Sequence, residues 1–159
     1  MKTGFIGAGK VGFSLGKMFA ESGLPLTGYY SRQREAAQEA AAFTGTRAYS
    51  DLCELVQDSD AIFLTVPDRA ITPVYLELRS FSLSGKQICH CSGALSARDA
   101  FPASRRQVRL VFPSIRFFPS AAGTIRIGNL RMLFSVWRAK KAPSRHGTVS
   151  YTHLRAHET

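Results

Sequence analysis

The sequence predicts an α/β fold in which helices join the strands of a doubly wound parallel sheet. Short apolar stretches alternate with stretches of helical pattern throughout residues 1–102. The clearest apolar stretch, residues 61–66 (AIFLTV), has the continuous hydrophobicity that a parallel strand needs when both of its faces are buried. A run of glycines joins the first such stretch to the first helical pattern. Strands that alternate with helices in this way form parallel sheets through right-handed crossovers.

The individual elements follow from the apolar patterns and from the residues that interrupt them. The first strand is predicted at residues 4–6, and helical spacing of apolar residues begins at Val11. Gly45 is expected to end the second helix, and Ser50 or Asp51 to cap the third. The remaining predicted strands are residues 26–30, 47–49, 61–66 and 87–91, and the remaining predicted helices are residues 35–43, 52–56 and 71–78.

A glycine motif opens the first helix. Its residues follow the first strand without a gap and fit the pattern G-x-G-x-x-G; they are Gly7, Ala8, Gly9, Lys10, Val11 and Gly12. The first glycine permits a tight turn, the second lets a pyrophosphate approach the backbone, and the third lets helix and strand pack closely. The N–H groups and the positive dipole end of the helix would hold the diphosphate. The motif predicts a Rossmann-type dinucleotide-binding domain, and the alternative is a glycine-rich turn in another strand–helix unit.

The residues after the second predicted strand indicate which dinucleotide binds. NAD-binding domains close this strand with an acidic residue that accepts from the ribose hydroxyl. Here Ser31 and Arg32 occupy that place. A hydroxyl and a guanidinium suit a ribose 2′-phosphate, which a carboxylate would repel. We therefore expect NADP rather than NAD as the cofactor, with an ordinary solvated loop arginine as the alternative.

The last predicted strand contains the sequence Cys89-His90-Cys91, which suggests a metal site at first sight. Alternation along a strand sends both cysteines to one face and the histidine to the other, so the three side chains cannot converge on one ion. Free cysteines are common in protein cores. We expect no metal site.

Charge and cysteine content restrict the classes of protein to consider. The formal charge is +10, yet residues 1–102 carry as many acidic as basic residues, and residues 103–148 carry no acidic residue. Three cysteines give no disulfide framework and suit a reducing compartment. No signal peptide precedes the first strand, and no apolar run reaches membrane-spanning length. We expect a cytoplasmic protein with no membrane partner.

Four segments within residues 2–102 resemble a known group of proteins: GFIGAGKVG, YYSR, FLTVPD and HCSGALSA. The group consists of Rossmann-like proteins whose second half is a domain of unknown function, and its relatives are the pyrroline-5-carboxylate reductases and the deazaflavin-dependent NADP reductases. The resemblance implies NADP binding, a reductase role with an unassigned small-molecule substrate, and a homodimer for the intact protein.

Carried over position by position, the resemblance assigns part of the cofactor to each strand end. It implies that Gly7, Gly9 and Gly12 hold the diphosphate, that Ser31 and Arg32 meet the 2′-phosphate, that Val66 and Pro67 line the adenine-ribose side, and that Ser92 and Gly93 face the nicotinamide.

The sequence departs from this group after Pro102. The group's His-Pro pair is missing, and the acid-free stretch has no clean helical or strand period. Restoring one nucleotide near Pro102 permits a codon choice that returns acidic residues, a helical pattern and the His-Pro pair. Residues 149–159 (VSYTHLRAHET) resemble a translated sequencing adapter. We interpret residues 1–102 as the dinucleotide-binding domain, residues 103–148 as an out-of-frame segment and residues 149–159 as an adapter-derived tail.

This interpretation predicts that residues from 103 onward form no packed second domain and contribute at most one added strand, near residues 108–112. The alternative is a genuine arginine-rich arm that binds nucleic acid through phosphate contacts.

For function, we expect the NADP-binding part of an oxidoreductase that transfers hydride to or from a carbonyl or imine, inactive as this fragment. The alternative is a non-catalytic nucleotide-binding module that senses redox state. The catalytic residue stays unassigned, because His90 is the only histidine in residues 1–102 and is expected to pack within the sheet.

Overall fold

The computed structural model describes residues 1–102 and three short strand segments, residues 109–111, 116–119 and 125–128. The strands are β1 (Thr3–Ile6), β2 (Leu26–Tyr30), β3 (Arg47–Tyr49), β4 (Ala61–Leu64), β5 (Gln87–His90), β6 (Arg109–Val111), β7 (Arg116–Pro119) and β8 (Ile125–Gly128). The helices are α1 (Lys10–Glu21), α2 (Arg34–Thr44), α3 (Leu52–Asp58), α4 (Asp68–Leu78) and α5 (Ala97–Ala100). Within these described residues, no helix is long and apolar enough to cross a membrane.

Six strands form one parallel sheet in the order β3-β2-β1-β4-β5-β6. The chain runs outward from β1 to β3, returns to the centre, and continues outward from β4 to β6. This order has a switch point between β1 and β4, which is where ligands bind in open α/β sheets. The predicted fold class, a Rossmann-type doubly wound parallel sheet, is confirmed.

The strand register brings the carboxyl ends of four strands into one row. Ile6 lies opposite both Tyr30 and Leu64, and Leu64 lies opposite His90. The residues that follow these four strands therefore lie along one edge of the sheet. Since neighbouring strands are about 4.8 Å apart, the row from β2 to β5 is about 14 Å long.

Two apolar layers cover the sheet, one on each face. Helices α1 and α2 pack on the face that presents Phe5, Tyr29, Phe63 and Cys89. Helices α3 and α4, together with Phe101, pack on the opposite face, and the buried strand residues there include Ile6, Ile62, Leu64 and Ile88. Both layers are therefore needed to bury the strands, as their continuous hydrophobicity predicts.

The predicted turn and cap residues are found in their expected roles. Gly45 ends α2 in the left-handed conformation with φ of 65°. Asp51 is the N-cap of α3, and its Oδ1 accepts a hydrogen bond of 2.8 Å from the Cys53 N–H. The sequence thus predicted these two helix ends from local chemistry alone.

Several predicted boundaries were wrong by one to three residues. Strand β4 ends at Leu64 and not at residue 66, because Val66 contributes its side chain to the core without continuing the strand. Helix α4 begins at Asp68 and not at residue 71, with Pro67 as its N-cap residue. Pro67 thus lies directly before the helix, and the Asp68 carboxylate in the first turn interacts favourably with the helix dipole. Strand β5 ends at His90, one residue earlier than predicted.

The added strand expected near residues 108–112 is found as β6, but the expectation that no further strand would form beyond Pro102 was wrong. Strand β6 extends the main sheet beside β5, and β7 and β8 form a separate antiparallel pair. Their sequences, RLV, RFFP and IRIG, contain the aromatic and β-branched residues that favour strands even where no longer pattern exists. We also predicted that the residues after Pro102 pack poorly and that residues 149–159 form a tail. The remaining residues to which these predictions refer lie outside the described part of the chain.

Candidate functional site

The glycine loop connects β1 to α1 at the centre of the row of strand ends. Gly7 has a φ of 101°, a conformation that favours glycine. Its N–H donates a hydrogen bond of 2.8 Å to the Tyr30 carbonyl, which joins the loop to the end of β2. A Cβ at Gly7 would lie 2.7 Å from the Thr65 carbonyl oxygen. Both the backbone angle and the neighbouring strand therefore require glycine here.

Gly12 lies where α1 crosses the beginning of the loop. A Cβ at this position would collide with the Gly7 carbonyl oxygen and lie 2.7 Å from the Thr65 Oγ1. Any larger residue would push the helix away from the sheet. Gly12 therefore sets the distance between α1 and the strand ends.

Gly9 differs from these two glycines because it faces open space. It is exposed and is the N-cap residue of α1, and a Cβ built on it would meet no atom of the described residues within 4 Å. In this part of the chain no side chain caps the helix, and the first turn of α1 contains no acidic residue. The unpaired N–H groups and positive dipole end of α1 thus face an unobstructed region at the edge of the sheet.

The other residues of the glycine motif divide into inward and outward positions. Ala8 is buried and Val11 packs against the core beneath α1 and α2. Lys10 is exposed at the first position of α1. The loop therefore presents one cation beside the open helix terminus.

Ser31 and Arg32 follow β2 on one side of the glycine loop. The Ser31 Oγ accepts a hydrogen bond of 3.2 Å from the Gln33 N–H, so this hydroxyl supports the turn into α2. Arg32 is exposed, and it takes part in none of the three ion pairs found within the described residues. No carboxylate therefore neutralises it in this part of the chain.

Val66 and Pro67 follow β4 on the other side of the glycine loop. Val66 is partly buried against the core, whereas Pro67 is exposed before α4. These two residues are separated from Ser31 and Arg32 by the strand β1 and its loop.

Ser92 and Gly93 form the turn after β5. The Ser92 Oγ accepts hydrogen bonds from the N–H groups of Ala94 and Leu95, both at 3.1 Å. The Ser92 N–H donates to the His90 Nδ1 at 3.2 Å. Gly93 is exposed, and a Cβ built on it would meet none of the described residues within 4 Å. A compact turn at the end of the row is thus held by one serine and one histidine.

His90 is buried at the end of β5, with only 2% of its surface exposed. Its ring contacts that of Phe101 edge-on, with centroids 5.4 Å apart. Burial lowers the pKa of His90, and the negative charge of Asp68 partly opposes this effect. The ring is therefore neutral at pH 7.

The predicted separation of Cys89 and Cys91 from His90 is seen in the core. Both cysteines belong to the layer under α1 and α2, whereas Phe101, the ring partner of His90, belongs to the opposite layer. Burial raises the pKa of Cys91 to about 12 and that of Cys89 well above its usual value, so both thiols stay protonated. No group of side chains suited to a metal ion occurs within the described part of the chain.

Thr65 is a residue of this site that the sequence reasoning missed. Its Oγ1 donates a hydrogen bond to the Gly7 carbonyl oxygen at 2.6 Å, and the Ile6 carbonyl oxygen, at 3.2 Å, is a second acceptor within reach. The sequence feature that could have identified Thr65 is its hydroxyl, the only polar side-chain group in the apolar stretch AIFLTV. A buried hydroxyl needs an acceptor, and the nearest strand end supplies two.

The site as a whole combines an open helix N-terminus with two exposed cations, Lys10 and Arg32, along one sheet edge. Such an arrangement suits a ligand with separate anionic groups.

Residues 2–92 match the family described as NADP oxidoreductase, coenzyme F420-dependent.

The chain belongs to this NADP oxidoreductase family. The match covers the glycine loop and the ends of all strands from β1 to β5. Comparison with curated proteins gives no significant match.

Solved structures with the same fold include several oxidoreductases. The imine reductase BcSIRED from Bacillus cereus BAG3X2 is 20% identical, with a TM-score of 0.64 over 87% of this chain and 50% of that one. The 3-hydroxyisobutyrate dehydrogenase of Mycobacterium tuberculosis is 18% identical, with a TM-score of 0.64 over 85% of this chain and 49% of that one.

A third similar structure is the reductive aminase from Aspergillus terreus in complex with NADPH and ethyl-5-oxohexanoate. It is 23% identical, with a TM-score of 0.59 over 72% of this chain and 40% of that one. Likeness at these identities shows a shared fold. This member of the NADP oxidoreductase family therefore spans half or less of each of the three proteins.

Proposed function

We propose that this chain carries the NADP-binding domain of an oxidoreductase that transfers hydride between the nicotinamide and a small carbonyl or imine. The observation that supports this most directly is the open N-terminus of α1 at Gly9. On either side of it, Gly7 and Gly12 are positions where the backbone packing requires glycine. This pattern, open at the second glycine and crowded at the first and third, is what a bound pyrophosphate needs.

In this proposal the diphosphate lies against the first turn of α1. The N–H groups at Gly9 and Lys10 and the helix dipole would bind its oxygens, and the exposed Lys10 ammonium would add a positive charge. Ala8 and Val11 would act indirectly, since their side chains anchor the loop in the core.

The 2′-phosphate would lie at the end of β2. Arg32 is exposed without an ion pair in the described residues, so its guanidinium could bind a phosphate without first losing a partner. The Ser31 Oγ accepts from the Gln33 N–H, which leaves its own O–H to donate. These two groups support NADP as the preferred dinucleotide.

The sheet order changes the proposed role of Val66 and Pro67. They follow β4, which lies on the opposite side of β1 from Ser31 and Arg32. We therefore place them beside the part of the cofactor between diphosphate and nicotinamide, and no longer on the adenine-ribose side. Ser92 and Gly93, one strand further along, would face the nicotinamide.

The nicotinamide supplies the hydride chemistry when the cofactor is bound, and the chain supplies binding and orientation. We assign no proton donor among the described residues, because the lowered pKa of His90 keeps its ring neutral and a pKa raised to about 12 makes the Cys91 thiol a poor acid. We place the dinucleotide-binding domain at residues 1–102, with β6 added at one edge of its sheet, and we keep residues 103–148 as an out-of-frame segment and residues 149–159 as an adapter-derived tail.

Calorimetric titration of the chain with NADP⁺ and NAD⁺ tests the binding part of this proposal. A hydride-transfer assay with carbonyl and imine substrates, on a longer member of the family, tests the reaction. Binding without turnover in that longer protein would favour the redox-sensing module instead. If neither dinucleotide binds, the proposal is wrong.

A further inference from the structure

The turn after β5 is held at both of its ends by hydrogen bonds that involve Ser92. Its backbone N–H donates to the His90 Nδ1, and its Oγ accepts from the Ala94 and Leu95 N–H groups. The His90 ring cannot move easily, since it is buried and contacts Phe101, which in turn contacts Tyr75 edge-on at 4.8 Å. The position of Ser92 is thus set by a fixed imidazole.

These hydrogen bonds determine what the Ser92 hydroxyl can still do. Its oxygen already accepts two N–H groups, so both of its lone pairs are used. The remaining function of this hydroxyl is to donate its hydrogen. A donor of this kind complements a carbonyl oxygen, such as that of the nicotinamide carboxamide.

We propose that His90 is a positioning residue: its unprotonated Nδ1 holds Ser92 so that the Ser92 hydroxyl donates to the nicotinamide carboxamide, and protonation of His90 releases the turn. This inference rests on the proposed binding of NADP at the strand ends. The physical reason is that an imidazolium has N–H groups on both nitrogens. A protonated Nδ1 would point its own N–H at the Ser92 N–H, and no hydrogen bond could form between two donors.

Electrostatics place the release below neutral pH. Burial lowers the pKa of His90 below 6.5, and Asp68 at the start of α4 raises it only in part. Phe101, whose ring contacts His90, does not titrate, and Tyr75, which contacts Phe101, stays uncharged because burial raises its pKa. Cys91 belongs to the opposite face and stays protonated. The turn is therefore held at pH 7 and is lost as the pH falls through the His90 pKa.

The first test uses the unaltered chain without ligand. Nuclear magnetic resonance of the isotopically labelled 159-residue protein would follow the His90 ring nitrogens and the Ser92 amide from pH 8 to pH 5. We expect the proton of the neutral ring on Nε2, and a Ser92 amide shift with the same midpoint as the ring. A ring proton on Nδ1 at neutral pH would overturn the proposal. So would a Ser92 amide that does not change while His90 titrates.

The second test compares NADP⁺ with 2′-phospho-ADP-ribose, which lacks only the nicotinamide. Both ligands carry the same phosphates, so titration of the phosphates cancels in the ratio of their affinities. In the wild-type chain we expect the preference for NADP⁺ to fall about fivefold through the His90 midpoint, the scale of one hydrogen bond.

Three variants connect this loss to His90. His90→Asn keeps a carbonyl oxygen that can accept from the Ser92 N–H and does not titrate, so the preference should stay constant with pH. His90→Leu should show the reduced preference at every pH. His153→Asn, a histidine outside the described residues, should behave like the wild type.

An acid-dependent loss of preference in His90→Asn, equal to that of the wild type, would overturn the inference. If neither ligand binds at any pH, the proposed function fails, and the amide measurement still decides whether His90 holds the turn.

Discussion

The Thr65 hydroxyl lies 2.6 Å from the carbonyl oxygen of Gly7 and donates a hydrogen bond to it. This contact joins the end of β4 to the first residue of the glycine loop. Thr65 is buried, and its Oγ1 also lies against the position that a Cβ at Gly12 would occupy. One side chain on a neighbouring strand therefore holds the loop carbonyl and fits beneath the helix that the loop begins.

We predict that Thr65→Val destabilises the chain by about 1–2 kcal/mol, because the shape is kept while a buried carbonyl loses its donor. The affinity for NADP⁺ should also fall, since the Gly7 carbonyl would be free to turn. Urea unfolding and calorimetry of the 159-residue protein measure the two effects.

Thr27→Val is the matched control for Thr65→Val. The Thr27 hydroxyl donates to the Asp58 carbonyl at 3.4 Å in an exposed position, far from the glycine loop. Thr27→Val should change neither the free energy of unfolding nor the free energy of NADP⁺ binding by more than a few tenths of a kcal/mol. Equal stability and affinity for Thr65→Val and the wild type would show that the hydroxyl does not hold the loop.

A second prediction concerns Gly9. Gly9→Val should abolish dinucleotide binding while the chain stays folded, because its side chain would project into open space and not into the protein. Circular dichroism should match the wild type, urea unfolding should show a loss of no more than about 1 kcal/mol because valine is a poor N-cap residue, and calorimetric titration should show no heat of binding. A variant that binds normally would exclude the loop as the diphosphate site.

Gly12→Ala should destabilise the chain more than Gly9→Val, although an alanine side chain is smaller than a valine side chain. Its methyl group would collide with the Gly7 carbonyl oxygen, so something in the helix or loop must shift. We predict a loss of stability of about 1–3 kcal/mol, the usual scale for overpacking. Urea unfolding of the two glycine variants, measured side by side, would show whether packing and ligand space are separable in this loop. Equal stability of Gly12→Ala and the wild type would refute the packing role.

The sequence predicted this part of the fold because local patterns and the tertiary structure agree. The strand–loop–helix around Gly7 and Gly12 follows from a spacing that only one local geometry satisfies. The cap at Asp51 and the helix end at Gly45 also depend on neighbouring residues alone. In each case, the interactions that decide the structure lie within a few residues.

Contacts between distant segments were not predictable in the same way. Gly16 has no local reason to be glycine within α1, yet a Cβ there would collide with the Tyr29 hydroxyl of β2. Burial raises the pKa of Tyr29 to about 12, which a sequence pattern does not indicate. The hydrogen bonds of Thr65 and the ring contact of His90 likewise depend on strand order. The sequence pattern predicts which face of the sheet each residue occupies, but it does not predict which distant residue its side chain contacts.

Sheet order is the reason why we propose another role for Val66 and Pro67 than the resemblance implied. The sequence placed Val66 and Pro67 at a strand end, which is where they lie. It could not say which side of the glycine loop that end occupies, because β4 joins the sheet beside β1 only after the chain has built β2 and β3. On this ground we propose a different part of the cofactor for these two residues.

The final prediction concerns the choice between NADP and NAD at Arg32. Arg32→Ala should weaken NADP⁺ binding by about 1–3 kcal/mol, the scale of a charge-assisted hydrogen bond, and leave NAD⁺ binding nearly unchanged. The reason is that only NADP carries the 2′-phosphate that the exposed guanidinium can bind. Calorimetric titration of both dinucleotides into both proteins measures the difference.

Arg69→Ala separates this specific contact from a general loss of positive charge. Arg69 is also exposed, but it lies in α4, across the glycine loop from Arg32. Its removal should affect NADP⁺ and NAD⁺ equally and slightly. A phosphate monoester loses its second negative charge below about pH 6, so the advantage of NADP⁺ over NAD⁺ in the wild type should shrink below that pH. Equal losses for both dinucleotides in Arg32→Ala would remove Arg32 from the proposed 2′-phosphate site.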